Sequence, residues 1–284
     1  MRWLVVIVTA SLFFWGGCRR VTERTNEVVT VAAAKLPLEP QDAAWDQAPE
    51  HVAKLLLQDL VEPRLMTPST PEVQVRSLTN GSEIAFRLQW ADLSQSDLPG
   101  PASFVDACAI QIPSKIETDI PEPQMGKTGR PVEITYWRAD WQASVNGRPD
   151  TLQALYPNAA VDHYPFEAKP LESDATAQKE MAKRYAPAEA VGNRRAGPRL
   201  SPVEDMIAEG PGTLSPSRTG ASSRGKGIRT RDGWSVVVSR RLPEGLTPRV
   251  RTQIAFAVWE GAHGEVGARK MRTGWIPLAT REAK

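Results

Sequence analysis

The chain is poor in the side chains that most often carry chemistry. Its 284 residues include two cysteines, Cys18 and Cys108, and three histidines, His51, His163 and His263. So few cysteines exclude a Cys-rich zinc site, a four-Cys iron–sulfur cluster and the Cys-x-x-Cys-His attachment of a c-type haem. No His-x-x-x-His or His-Glu-x-x-His spacing occurs, so a zinc hydrolase has no ligand set. A Gly-x-Ser-x-Gly elbow is missing, and Gly225-Lys226-Gly227 is too short for a phosphate loop. Asp106 and Asp140 are the only carboxylates singled out as a pair, and nothing in their spacing favours it over chance. Charge of one sign is also lacking. Lys and Arg number 35 against 33 Asp and Glu, a net of +2, which points to neither a nucleic-acid binder nor a polybasic membrane protein.

A long apolar run is absent as well. Residues 3–15 are almost wholly apolar, but that is short of the ~20 residues a bilayer span needs. Arg2 before this run and Gly16-Gly17-Cys18 after it give the layout of a secretory signal. The small residues before Cys18 resemble a bacterial lipobox, with Trp15 standing where an aliphatic residue is usual. Residues 1–18 are therefore expected to direct export and residues 19–27 to form a linker. Lipid on Cys18 would hold the chain on the periplasmic side of a bacterial membrane. An acylated Cys18 leaves Cys108 as the single thiol, with no disulfide available.

What the sequence has in excess is proline, glycine and tryptophan, at 24, 20 and nine residues, which favours loops over a helical bundle. Apolar alternation is clear at Val73 and Val75, then at Ile84, Phe86, Leu88 and Trp90, with the turn Asn80-Gly81 between them. Residues 28–34 and 52–57 read as further strands, as do residues 105–112 and the alternating runs beginning at Val132, Trp234 and Ile254. The pattern predicts an all-β fold, an antiparallel β-sandwich over residues 28–284. A loop-rich, partly helical insertion over about residues 165–230 interrupts it, with one helix from Asp174 to Ala186. Arg194, Arg195, Arg199, Arg218, Arg224, Lys226, Arg229 and Arg231 make this the most basic stretch, either a solvated face or a docking surface for a partner.

Two Gly-flanked loops differ from ordinary connections. The first, Pro121-Glu122-Pro123-Gln124-Met125-Gly126, presents a methionine from the backbone, where its thioether could serve as a soft ligand. The second runs from Trp259-Glu260-Gly261 to Lys270. With Asp42-Ala43-Ala44-Trp45, Ile84 to Asp92, Asp106 to Pro113, Tyr136 to Trp141, Glu209 to Leu214 and Asp232-Gly233-Trp234, these blocks follow one another in a fixed order. In that order the chain resembles the haem-binding gamma subunits of the ethylbenzene dehydrogenase type, which also serve dimethyl sulfide dehydrogenase, selenate reductase and chlorate reductase.

The resemblance implies a haem b at one end of a β-sandwich, with axial ligands at Met125 and Lys270. His263 and the neighbouring Met271 remain alternative ligands, and Cys108 is expected in the core. It further implies a non-catalytic electron-transfer subunit that works beside a molybdenum catalytic subunit and an iron–sulfur subunit, with a cytochrome c or a membrane electron carrier at the far end. The contrasting reading is an exported carbohydrate-binding β-sandwich lipoprotein, in which tryptophans form a sugar-stacking platform.

Overall fold

The computed structural model describes residues 25–149, 156–158, 173–185, 199–217 and 222–281, so Cys18, His163 and the expected signal segment lie outside the described residues. Fourteen strands form the fold: β1 Val28–Ala32, β2 His51–Lys54, β3 Leu56–Leu57, β4 Glu72–Thr79, β5 Glu83–Ala91, β6 Ala107–Pro113, β7 Val132–Arg138, β8 Val203–Ala208, β9 Ser215–Pro216, β10 Arg224–Arg229, β11 Gly233–Arg241, β12 Thr252–Trp259, β13 Met271–Arg272 and β14 Ile276–Thr280. Among the described residues the α-helices are α1 Ala139–Val145 and α2 Ala175–Tyr185. Thr176 N–H donates to the Asp174 carboxylate at the start of α2, the cap expected there. Among the described residues no helix is long and apolar enough to cross a membrane.

The strands make two layers. The first runs β10-β11-β5-β4-β1-β14, and the second β12-β6-β7-β8-β9, with β13 and β3 beyond β12. β12 belongs to both, because Thr252–Ile254 pair with β14 while Ala255–Trp259 pair with β6. The expected sandwich is present, but it is not purely antiparallel. β1 runs parallel to both β14 and β4. Side-chain alternation is the same for either strand direction, so the sequence could not reveal this.

Alternation does explain the packing. Ile84, Phe86, Leu88 and Trp90 of β5 and Trp234, Val236 and Val238 of β11 face Cys108, Ile110, Trp137, Phe256 and Val258 of the second layer. Trp137 stands edge-on between Trp234 at 5.2 Å and Trp90 at 6.3 Å, joining the layers by ring contacts. Asp106, fully buried at the start of β6, accepts from Trp234 Nε1, Ser96 N and Gly261 N. Burial pushes its carboxyl up to about 6 despite those donors. Asp140 instead takes a two-pronged contact from Arg138, so the two acids do not pair.

The outer face of the first layer is closed. Leu36, Trp45 and Ala48 pack on Leu78, Ala85 and Val237, and the Arg87 guanidinium lies 5.9 Å above the Trp45 ring. The stretch expected to be an insertion is more regular than its composition suggested, since it supplies β8, β9 and β10. Several of its cations are engaged within the chain: Arg224 with Glu83, Lys226 with Glu39 and Arg229 with the Asp92 carbonyl. Arg194, Arg195 and Arg218 lie outside the described residues.

β10 approaches β7 so closely that a Cβ on Gly227 would lie 2.2 Å from Trp137 Cζ2. Gly227→Ala is expected to displace the central tryptophan and cost about 1–3 kcal/mol. Chemical denaturation should show a lowered midpoint with an unchanged slope.

Candidate functional site

The outer face of the second layer is built differently from that of the first. On β12, Phe256 and Val258 point into the core, so Ala255, Ala257 and Trp259 point out. The register sets Ala257 opposite Ala109, Ala255 opposite Gln111 and Trp259 opposite Ala107. Four alanines on two adjacent strands therefore make a low floor. Around it stand Trp259, Tyr136, Ile134 and Met206, with Met125 and Trp275 packed against the same cluster. Tyr136 meets Trp259 edge-on at 5.2 Å and Trp141 at 5.6 Å.

Met125 reaches this cluster from a loop held in an uncommon backbone conformation. Its φ is 68°, and among the described residues only Ala102 shares a positive φ without being glycine. Such a conformation costs roughly 1–3 kcal/mol, and it persists where surrounding contacts impose it. Here Gly210 N–H donates to the Met125 carbonyl at 2.8 Å and Gly126 N–H to the Glu122 carbonyl at 2.9 Å. Gly126 is also left-handed, and a Cβ there would sit 2.9 Å from the Arg130 carbonyl oxygen and 3.0 Å from that of Ala208. Side chains below and beside the loop fix it further. Gln111 Nε2 donates to the Pro123 carbonyl and Trp275 Nε1 to that of Pro121.

Lys270 comes to the same cluster from the other side. β13 pairs Met271 with Val258 and Arg272 with Ala257, and continuing that register puts Lys270 opposite Trp259. Lys270 Nζ lies 5.1 Å from the Trp259 ring centroid. Its pKa is pushed down from 10.5 to about 8, first by burial and then by the nearby Arg272 charge. The backbone here is held by Gln58, a residue that sequence reasoning missed. Gln58 N donates to the Lys270 carbonyl at 3.2 Å, and its side-chain amide donates to the carbonyls of Val61 and Ala268. Its side-chain oxygen accepts from Leu60 N and Val61 N.

The alternative ligands are placed elsewhere. Met271 is buried in the core between the layers, on the opposite face of β13 from Lys270. His263 is exposed, with Nδ1 3.1 Å from Glu260 Oε2. Cys108 is fully buried in the inter-sheet core, as expected, and burial pushes its thiol upward. The β13 register turns Lys270 outward, and Met125 packs against the same outer cluster. A sugar-stacking platform finds little support. Among the described tryptophans, Trp45, Trp90, Trp137, Trp141, Trp234 and Trp259 are buried and Trp275 is half-buried. Among the described residues no group of three or more His, Cys, Asp or Glu could hold a metal ion.

The ethylbenzene dehydrogenase family profile matches residues 42–271, most of the chain, and the chain belongs to that family. It is 26% identical over 287 aligned residues to a protein of Haloferax mediterranei assigned as a respiratory nitrate reductase heme subunit, covering 96% of this chain and 78% of that one. It is 25% identical over 267 residues to the chlorate reductase subunit gamma of Ideonella dechloratans, covering 90% and 84% of the two chains. Among solved structures, a family 9 carbohydrate-binding module from Caldicellulosiruptor kristjanssonii in complex with cellotriose aligns with a TM-score of 0.44 and 8% identity, over 90% of this chain and 95% of that one. That likeness is too distant to bear on the fold or the ligand.

Gln58 should prove to be the clamp of the Lys270 loop. Gln58→Ala is expected to raise amide exchange at Leu60 and Val61 by about 10-fold or more, since each loses its acceptor. Hydrogen-exchange mass spectrometry over residues 58–70 and 260–270 checks this, with the β4–β5 hairpin as the unchanged internal standard.

Proposed function

We propose that this chain is the haem b electron-transfer subunit of an oxidoreductase complex, with Met125 and Lys270 as the axial ligands. The observation that carries the reading is the approach of a strained methionine and a partly neutralised lysine to one aromatic-rimmed face with a floor of alanines. The residues suit that group. A thioether and an amine are both competent iron ligands, and the surface between them is apolar and aromatic over small alanines. Arg272 adds a buried guanidinium Nε with no hydrogen-bond partner on the same face.

When bound, a haem with protein ligands on both sides supplies one-electron exchange and offers substrate no open position. The chain's own residues set the conditions for that. Lys270 can donate a lone pair only as the free amine. From a pKa of about 8, neutralisation at pH 7 costs about tenfold in population, against on the order of a thousandfold or more from 10.5. Met125, offered by a backbone that Gly210 and Glu122 hold in place, needs no rearrangement. The Trp259 ring stands 5.1 Å from the lysine amine and forms part of its apolar surroundings.

Both relatives are named as subunits of reductases, which supports catalytic partners for this chain. The finer assignment is a molybdenum catalytic subunit and an iron–sulfur subunit on one side and a cytochrome c or membrane electron carrier on the other. The layout of residues 1–18 supports export to the periplasmic side, with lipid on Cys18 as the membrane tether. In this reading the catalytic residues belong to another subunit.

The test is spectroscopic. The purified full chain should be red, with a Soret band and a low-spin haem b spectrum, and Lys270→Ala should convert it to a high-spin or Met-only form at neutral pH. Acidification of the wild type should produce the same conversion, because protons compete with iron for the amine, and returning to neutral pH should reverse it. The sign for the haem-free protein is also fixed. Lys270 has a folded pKa below its unfolded value, so the unfolded chain binds more protons between pH 8 and 10.5, and this residue's contribution makes stability rise with pH across that window. A spectrum indifferent to Lys270→Ala would remove that residue from the iron.

A further inference from the structure

Arg272 is not an iron ligand in the reading above, though its charge helps to lower the Lys270 pKa, and its placement is unusual. It pairs with Ala257 on one side and Leu56 on the other, so its side chain leaves the sheet on the alanine-floored face. Lys270 and Arg272 are two residues apart with Met271 turned inward between them. The two cations therefore rise from the same side of one strand, roughly 7 Å apart along it.

The guanidinium of Arg272 is incompletely satisfied. Its Nε is buried and has no hydrogen-bond partner, and among the described residues no carboxylate forms a salt bridge with it. Other arginines of the fold are handled differently. Arg76 meets Asp46 and Glu50, Arg138 meets Asp140, Arg224 meets Glu83, and Arg240 meets Glu133. Arg87, Arg229, Arg240 and Arg269 also leave a buried guanidinium nitrogen unpaired, but each has another partner: Arg87 lies over Trp45, Arg229 over Trp234 and Arg269 over Phe104, and Arg240 meets Glu133. A buried donor left without a partner is costly. That cost falls when an anion arrives with a ligand, and the planar fork of Arg suits a carboxylate best.

We propose that Arg272 is the anchor for a propionate carboxylate of the haem, with its Nε donating to a carboxylate oxygen. The proposal rests on the haem reading above. It gives β13 two tasks from alternate positions, iron ligation at Lys270 and carboxylate capture at Arg272. The register thereby fixes which edge of the macrocycle lies towards β3. Arg272 is a binding residue in this assignment and takes no part in electron exchange.

The experiment compares two porphyrins on the haem-depleted full chain, haemin and its dimethyl ester, which lacks both carboxylate charges. Soret titration of wild type, Arg272→Met and Arg272→Lys gives six affinities. Arg272→Met is expected to weaken haemin binding by about 10- to 100-fold, the effect of losing one hydrogen bond between charged groups. It should leave binding of the dimethyl ester unchanged, while Arg272→Lys should recover part of the loss for haemin alone. Equal haemin affinity in wild type and Arg272→Met would overturn the assignment. So would an equal loss for both porphyrins, which would mark a structural defect. If the Met variant does not fold, the same comparison is made with Arg272→Gln. A wild type that takes up neither porphyrin would overturn the haem reading as well, whereas one that binds both tightly but ignores the substitution overturns only the role of Arg272.

Discussion

The register of β12 against its neighbours is the constraint on which the candidate site depends. Phe256 and Val258 are buried between the layers, so Ala255, Ala257 and Trp259 must face outward. Met271 is held in the same core opposite Val258, so Lys270 and Arg272 must face outward too. A slip of one residue would reverse both strands. It would expose Met271 and drive a lysine and an arginine into a core of Leu, Ile and Trp side chains. Burying one methionine is worth about 1.5–3 kcal/mol, and keeping two cations out of an apolar interior is worth more. The chemistry of the outer face is thus fixed by packing on the inner one.

That division lets the site hold unfavourable features. A left-handed non-glycine residue at Met125 and a desolvated amine at Lys270 both oppose folding. Neither lies in the inter-sheet core. The stabilising contacts are concentrated there, in the Trp90, Trp137 and Trp234 cluster and in the three donors gathered by Asp106. Asp106 joins the two regions. It accepts from Trp234 of the first layer and from Gly261 in the loop that leads towards Lys270, so the rigid part of the sandwich also positions the start of the ligand loop.

The β4–β5 hairpin was legible in the sequence because its signals are local: alternation on both strands, and Asn80, whose side chain accepts from Ser82 N and Glu83 N around a left-handed Gly81. The Met125 loop was legible for a similar reason, since Pro and Gly on both sides of a methionine exclude a helix or strand. β8 and β10 were not. Glu204, Asp205, Arg224 and Lys226 give them the composition of a solvated loop, and the reasons these residues are tolerated are tertiary. Asp205 accepts from Thr135 of β7, while Lys226 and Arg224 reach acids at Glu39 and Glu83. Gln58 was invisible because the two hydrogen bonds that tie it to the ligand loop, to the carbonyls of Ala268 and Lys270, cross about 210 residues of sequence. The alternation of Ala107, Ala109, Ala255 and Ala257 with large core residues was present in the sequence, and it is the signal that could have drawn attention to the floor.

A two-layer sandwich has two outer faces, and here the two are covered by different sets of side chains. The N-terminal segment carries Leu36, Trp45 and Ala48 onto the first layer, where Trp45 is fully buried and its indole donates to the Glu39 carbonyl. The second layer is covered at its alanines by the cluster of Trp259, Met206, Met125 and Trp275, and Ala107, Ala109 and Ala255 are buried. Its rim comes from loops that the sheet itself aligns: β6 lies between β7 and β12, so the Met125 loop entering β7 and the Lys270 loop leaving β12 border the same strip of β6. Gln111 on that strip donates to the first loop, and Trp275, just past β13, donates to it as well. Two residues 145 positions apart in the chain therefore address one surface without either loop spanning the fold. Ala107 and Ala109 are buried beneath that cluster, so a larger side chain at either would push the Met125 and Trp259 side chains off the sheet, and the small residues are what let both ligand-bearing loops lie close to it.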